Sequence, residues 1–140
     1  MNKIFKTNIN QDYFNIVILG VRLLVAAFML THGFPKLMKL MAGGEIQFAN
    51  PIGLGPAFSL VLVVFAEFFC SLFIAFGFGT RLASIPLMIT MLVAAFVAHG
   101  DDPFGQKEKA LLYILIYMVL LIVGSGKFSI DYLISNKKNN

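Results

Sequence analysis

The chain has 140 residues, of which 59% are hydrophobic and only 13% charged, against about 25% charged in an average soluble domain. This composition excludes an ordinary soluble enzyme and predicts a membrane protein with the lipid bilayer as its first partner. The formal charge of +4 comes mostly from lysines outside the apolar runs, which suits headgroup contact and orientation and argues against nucleic acid binding.

The pattern predicts an all-α fold: one integral membrane domain over residues 1–140, built as an antiparallel bundle of four transmembrane helices. A polar arm covers residues 1–12. The first span is expected over about 13–34, with Arg22 inside it and Pro35, Lys36 and Lys39 marking its exit. It lacks a small-residue cleavage site, so it reads as a retained helix. Residues 40–53 form a loop that either lies on the membrane surface or folds over the mouth of the bundle.

The second span is expected over about 54–76, with Pro56 in its first turn and Glu67 at its centre. Two glycines in Gly77-Phe78-Gly79 permit a tight antiparallel turn. The third span, about 82–99, is rich in alanine, which lets membrane helices approach closely. The fourth, about 108–123, is short, and Lys107, Lys109 and Lys127 extend it by reaching to the interfaces. Four spans place both termini on one side. The basic residues divide six against four in favour of that side being cytoplasmic.

A carboxylate at the depth of Glu67 costs a few kcal/mol unless paired or protonated. Arg22 is the one cation inside an apolar run, and helical rises of roughly 10 and 14 Å from the same side predict an Arg22–Glu67 salt bridge. That pair either fixes helix register alone or lines a polar pocket for a small ligand. The arginine fork suits a quinone carbonyl or an oxyanion equally. Tyr113 and Tyr117, one turn apart, either pack through neighbouring carbonyls or extend the same ligand site. His32, Lys36 and His99 form a second, outer group of candidates. The histidines lack a further ligand at a recognised spacing, so no metal or haem site is expected. Cys70 is the only cysteine, which rules out an internal disulfide and a Cys-x-x-Cys redox pair. The segment Gly124–Ser129 fails as a phosphate loop, because Leu121 stands at the first required glycine and Phe128 follows the lysine.

Several motifs in order resemble the DoxX family of small four-helix membrane proteins. They are Arg22, Gly33-Phe34-Pro35-Lys36, Ala66-Glu67, Gly77-x-Gly79-Thr80-Arg81 and the alanine-rich run ending at His99. Glu108-x-x-x-Leu112-Tyr113 and Gly124-x-Gly126-x-x-Ser129-x-Asp131 complete the set, so the resemblance spans roughly residues 15–133. It implies a multi-pass protein of the bacterial cytoplasmic (inner) membrane. Some relatives are subunits of thiosulfate:quinone oxidoreductase, and others are linked to membrane oxidoreductase complexes handling thiol stress. The resemblance therefore implies an accessory subunit with a quinone-like ligand and a soluble oxidoreductase partner. A homo-oligomer is compatible with it. A small-solute or ion carrier, and a scaffold recruiting a soluble enzyme, are the alternatives.

Overall fold

The computed structural model describes residues 7–137, and all regular structure among them is helical. Five helices follow one another: α1 (Gln11–Ala42), α2 (Pro56–Phe76), α3 (Thr80–Ala98), α4 (Phe104–Val123) and the short α5 (Ile130–Lys137). Three of them, α1, α2 and α3, are long and apolar enough to cross a membrane.

Alongside an apolar core, polar side chains are buried and many large apolar ones are exposed. Asn15, Arg22, Ser59, Glu67, Ser71, Thr80 and Ser84 are buried, while Leu24, Phe28, Phe65, Phe76, Leu82 and Phe96 face outward. Hydrocarbon offers no hydrogen-bond partners, so polar atoms must be satisfied within the protein and apolar side chains can meet lipid. On α3, Ala83, Leu87, Met91 and Ala95 recur every fourth residue and form the inner stripe. The small Ala83 and Ala95 let α3 approach its neighbours closely, and α3 and α4 pack along their length.

α1 is longer than the sequence pattern suggests. It begins at Gln11, where the Asn10 side chain accepts from the N–H groups of Asp12 and Tyr13, and it continues through Pro35 to Ala42. The expected break at Pro35 does not occur. A proline removes one helical hydrogen bond and can be carried within a well-packed membrane helix. Lys36 and Lys39 are therefore helical residues, and the loop begins at Gly43. α3 starts at Thr80 and α4 at Phe104, each slightly earlier than the spacing predicts.

α2 ends on Gly77, whose left-handed conformation (φ 67°) closes the helix with Gly77 N–H donating to Ile74 and Phe78 N–H to Phe73. A Cβ at Gly77 would lie 2.5 Å from Ser129 Cβ and 2.6 Å from Arg22 Nη2, so the site demands glycine on steric grounds as well. α5 is tied to this turn in both directions. Asp131 N–H donates to the Gly77 carbonyl, and the Asp131 carboxylate accepts from Gly79 N–H (2.7 Å) and Thr80 N–H (3.2 Å). A carboxylate at the start of α3 also complements its dipole.

Within α2 and α3 the helical winding widens to π geometry at Phe65–Cys70 and Ala94–Ala98. Such bulges are rare and are found frequently at functional sites. At the first of them α1 comes very close. A Cβ on Gly33 would lie 2.6 to 2.8 Å from backbone atoms of Glu67 and Phe68. Gly33→Ala is expected to force the helices apart at a cost of about 1 to 3 kcal/mol. Gly20→Ala, on the same helix with nothing within 4 Å of the added Cβ, is expected to be neutral or mildly stabilising. Thermal melting in mild detergent checks the contrast.

Candidate functional site

The Arg22–Glu67 salt bridge expected from the sequence does not form; the two residues serve opposite ends of the molecule. Arg22 is 1% exposed. Its Nε donates to Ile74 O and its Nη2 to Ala75 O, both at 2.9 Å. Its Nη1 donates to Ser125 O (2.5 Å) and Phe128 O (2.9 Å). The last carbonyls of a helix have no intrahelical partner and carry the negative end of its dipole. A planar guanidinium satisfies several of them at once. Arg22 thus fastens the end of α2 to the segment between α4 and α5. Asn15 supports the same join, its side-chain oxygen accepting from Lys127 N–H (3.0 Å).

Glu67 instead pairs with Lys36, whose Nζ lies 2.6 Å from both carboxylate oxygens. The carboxylate is nearly inaccessible at 4%, whereas the lysine side chain keeps 30% exposure. Two features bring them together. The close approach at Gly33 sets α1 against the π segment of α2, and Lys36 lies one turn further along α1. Arg22 and Lys36 are fourteen positions apart on one helix, roughly 21 Å at 1.5 Å per residue.

A cavity of about 320 Å³ opens beside this pair. Lys36 and Glu67 contribute to one wall, Ser59 and Val63 lie along α2, and His99 stands at the end of α3. Phe48, Pro51 and Ile52 close it from the loop, so the loop folds over the mouth of the helices. The loop is held by Asn50, whose side-chain oxygen accepts from Gly55 N–H (2.9 Å), and by Lys39 donating to the Gln47 carbonyl. His99 Nδ1 is 2.6 Å from Asp102 Oδ2, which fixes the ring's orientation. Both π segments contribute to the lining, the first through Glu67 and the second through Ala94 and Ala98. Ser59 Oγ is buried without a hydrogen-bond partner among the described residues. The cavity is thus mostly apolar with a few convergent polar groups, the usual make-up of a small-molecule site.

The remaining candidates lie elsewhere. Tyr113 stacks on Tyr117 with ring centroids 6.0 Å apart and planes at 16°. His32 meets Tyr113 edge-on at 6.4 Å, in a groove between α1 and α4. Tyr117 is fully buried, and its hydroxyl has no partner among the described residues. Neither tyrosine hydrogen-bonds to Glu67 or Arg22. His32 and His99 line different cavities. Ser59, Asp102 and the loop residues were absent from the sequence candidates. A serine eight residues before Glu67, two turns along one helix, was the available signal for the first.

The DoxX family model matches residues 17–100, which include Arg22, Gly33, Lys36, Glu67, Gly77 and His99. The chain belongs to the DoxX family. This DoxX protein is 30% identical over 127 residues to the inner membrane protein YqjF of Escherichia coli strain K12, covering 88% of this chain and 95% of that one. It is 28% identical over 127 residues to an uncharacterized protein of Haemophilus influenzae, covering 82% and 84%. No solved structure matches it. Its apolar helices and its family make this DoxX protein a multi-pass protein of the bacterial inner membrane.

Proposed function

We propose that this DoxX protein is a membrane subunit that binds a neutral, quinone-like headgroup in the cavity beside Lys36 and Glu67, and that it serves a soluble oxidoreductase partner. The observation that carries this reading is the charge balance of the cavity. Lys36 and Glu67 cancel each other at 2.6 Å, and the rest of the lining is largely apolar. An oxyanion would have to compete with Glu67 for the lysine and lose its hydration in an apolar chamber. A neutral ring with carbonyl oxygens needs only a hydrogen-bond donor, which the Lys36 ammonium and the Ser59 hydroxyl supply. Arg22 gives four of its five N–H donors to carbonyls elsewhere and does not line the cavity. Tyr117 belongs to the core and Tyr113 packs against it, and neither lines the cavity. In this reading the soluble partner supplies the electrons. Purification from native membranes in mild detergent, followed by mass spectrometry of the small molecules retained, tests the reading. Enrichment of quinones over bulk lipid, reduced in Lys36→Met, is expected; retention of anionic solutes in their place would overturn it.

The same proposal includes four spans and cytoplasmic termini. In α4 the charged residues Lys107, Glu108 and Lys109 occupy the first turns, and an apolar run from Ala110 to Val123 follows. The lysines can reach the headgroups and extend that run across the bilayer. Lys3, Lys6 and Lys138, which enter the charge count, lie outside the described residues. With Cys70 replaced by alanine, single cysteines at Asn8 and Asn136 are expected to resist an impermeant thiol reagent in spheroplasts and to react after lysis. Labelling of either in intact spheroplasts would contradict this topology.

A further inference from the structure

We propose that the groove between α1 and α4 is a binding site for an anionic phospholipid, separate from the cavity beside Glu67. The groove measures about 350 Å³. It is formed by Phe28, Thr31 and His32 on α1 and by Lys109, Leu112, Tyr113 and Ile116 on α4. On each helix these positions are three or four residues apart, so each set is a single stripe facing the other. The two helices touch sparsely, in contrast to the close seam between α3 and α4.

The charged and polar lining residues gather toward one end of the groove, and its other end is apolar. The helices run antiparallel, so Lys109 lies at the end nearest the interface, with Leu112 next and then Tyr113 opposite His32. Phe28 and Ile116 form the deepest part. Phe28 and Leu112 remain more than half exposed, which leaves the apolar wall open from the side. The Lys109 ammonium makes no hydrogen bond or salt bridge to the described residues, whereas Lys36, Lys39 and Lys107 are each engaged. The imidazole of His32 touches the Tyr113 ring and has no hydrogen-bond partner among the described residues. A free cation and an imidazole donor toward the outer end of a largely apolar groove complement a phosphate diester bearing a net negative charge. They offer no corresponding advantage to a zwitterionic lipid of the same chain length.

The test is native mass spectrometry of the full chain in detergent with phosphatidylglycerol or phosphatidylcholine carrying identical acyl chains. The wild-type protein is expected to retain phosphatidylglycerol in preference. Lys109→Gln should reduce that preference by about fivefold, the worth of one lysine at an anionic surface. Leu112→Trp should fill the slot and lower retention of both lipids. Lys127→Gln, which removes a lysine outside the groove, should leave the preference unchanged. Equal retention of the two lipids by the wild-type protein would overturn the proposal. So would a loss in Lys127→Gln as large as in Lys109→Gln, because the preference would then reflect overall charge. A quinone competing with phosphatidylglycerol for wild-type protein and for Lys109→Gln alike would assign the groove to a neutral lipid and also overturn it.

Discussion

Replacing Arg22 with leucine is expected to cost about 4 kcal/mol or more and to leave little folded protein in the membrane. The substitution removes four hydrogen bonds, and it also strands the carbonyls of Ile74, Ala75, Ser125 and Phe128 at a buried join. The stranded acceptors are the larger part of the loss, because buried carbonyls that lose their donor carry the desolvation penalty. Arg22→Lys should be only a partial remedy, since an ammonium on a flexible stem cannot serve carbonyls from two separate segments in one plane. Detergent melting temperature and membrane abundance check both variants. Adding Glu67→Leu to Arg22→Leu should not rescue it. The two sites share no partner, and their effects should add to within about 0.5 kcal/mol. Recovery of wild-type stability in that double variant would mean that Arg22 and Glu67 are paired after all.

Glu67→Leu should behave differently. It leaves the Lys36 amine beside an apolar cavity with no counter-charge, at a cost of about 3 kcal/mol, toward the low end of buried-pair losses because the lysine keeps some exposure. Lys36→Met should cost a similar amount by stranding the carboxylate. The double variant, Lys36→Met with Glu67→Leu, removes both charges while preserving volume. It is expected to melt within about 1 kcal/mol of the wild-type protein, as other buried pairs do when replaced together. A double variant less stable than either single would show that the pair contributes more than mutual neutralisation to the fold.

Much of the scaffold was legible in the residues, for physical reasons that can be named. A membrane helix must bury its polar side chains and satisfy its backbone internally, so apolar length and the placement of Arg22 and Glu67 marked the inward faces directly. The turn at Gly77 was legible because a left-handed helix end calls for glycine. The pairing of the charges was not. Counting residues from the cytoplasmic end puts Arg22 and Glu67 at similar depths. Ending α1 at Pro35 leaves Lys36 outside the helix, and the reading assumes that each charge seeks another charge. In the structure Arg22 finds helix-end carbonyls, a partner that carries no side-chain signature. Lys36 remains helical beyond the proline and takes the carboxylate. Ordinary depth arithmetic also cannot anticipate the π segment at Phe65–Cys70, which changes the direction of Glu67 within its turn. The loop over the cavity was one of two readings, and only the packing of Phe48, Pro51 and Ile52 decides between them.

The apolar double variant also tests whether the cavity beside Lys36 and Glu67 is a ligand site and more than a structural join. A short-chain, water-soluble quinone is titrated into purified wild-type protein and into Lys36→Met/Glu67→Leu, and binding is followed by quenching of tyrosine fluorescence or by calorimetry. Both proteins are first shown to melt alike. Saturable binding to the wild-type protein, weakened by about tenfold or more in the double variant through loss of a charge-assisted hydrogen bond, is the predicted result. Equal affinity in the two proteins, or no saturable binding to the wild type, would rule out a ligand site there and leave Lys36 and Glu67 as a device of packing alone.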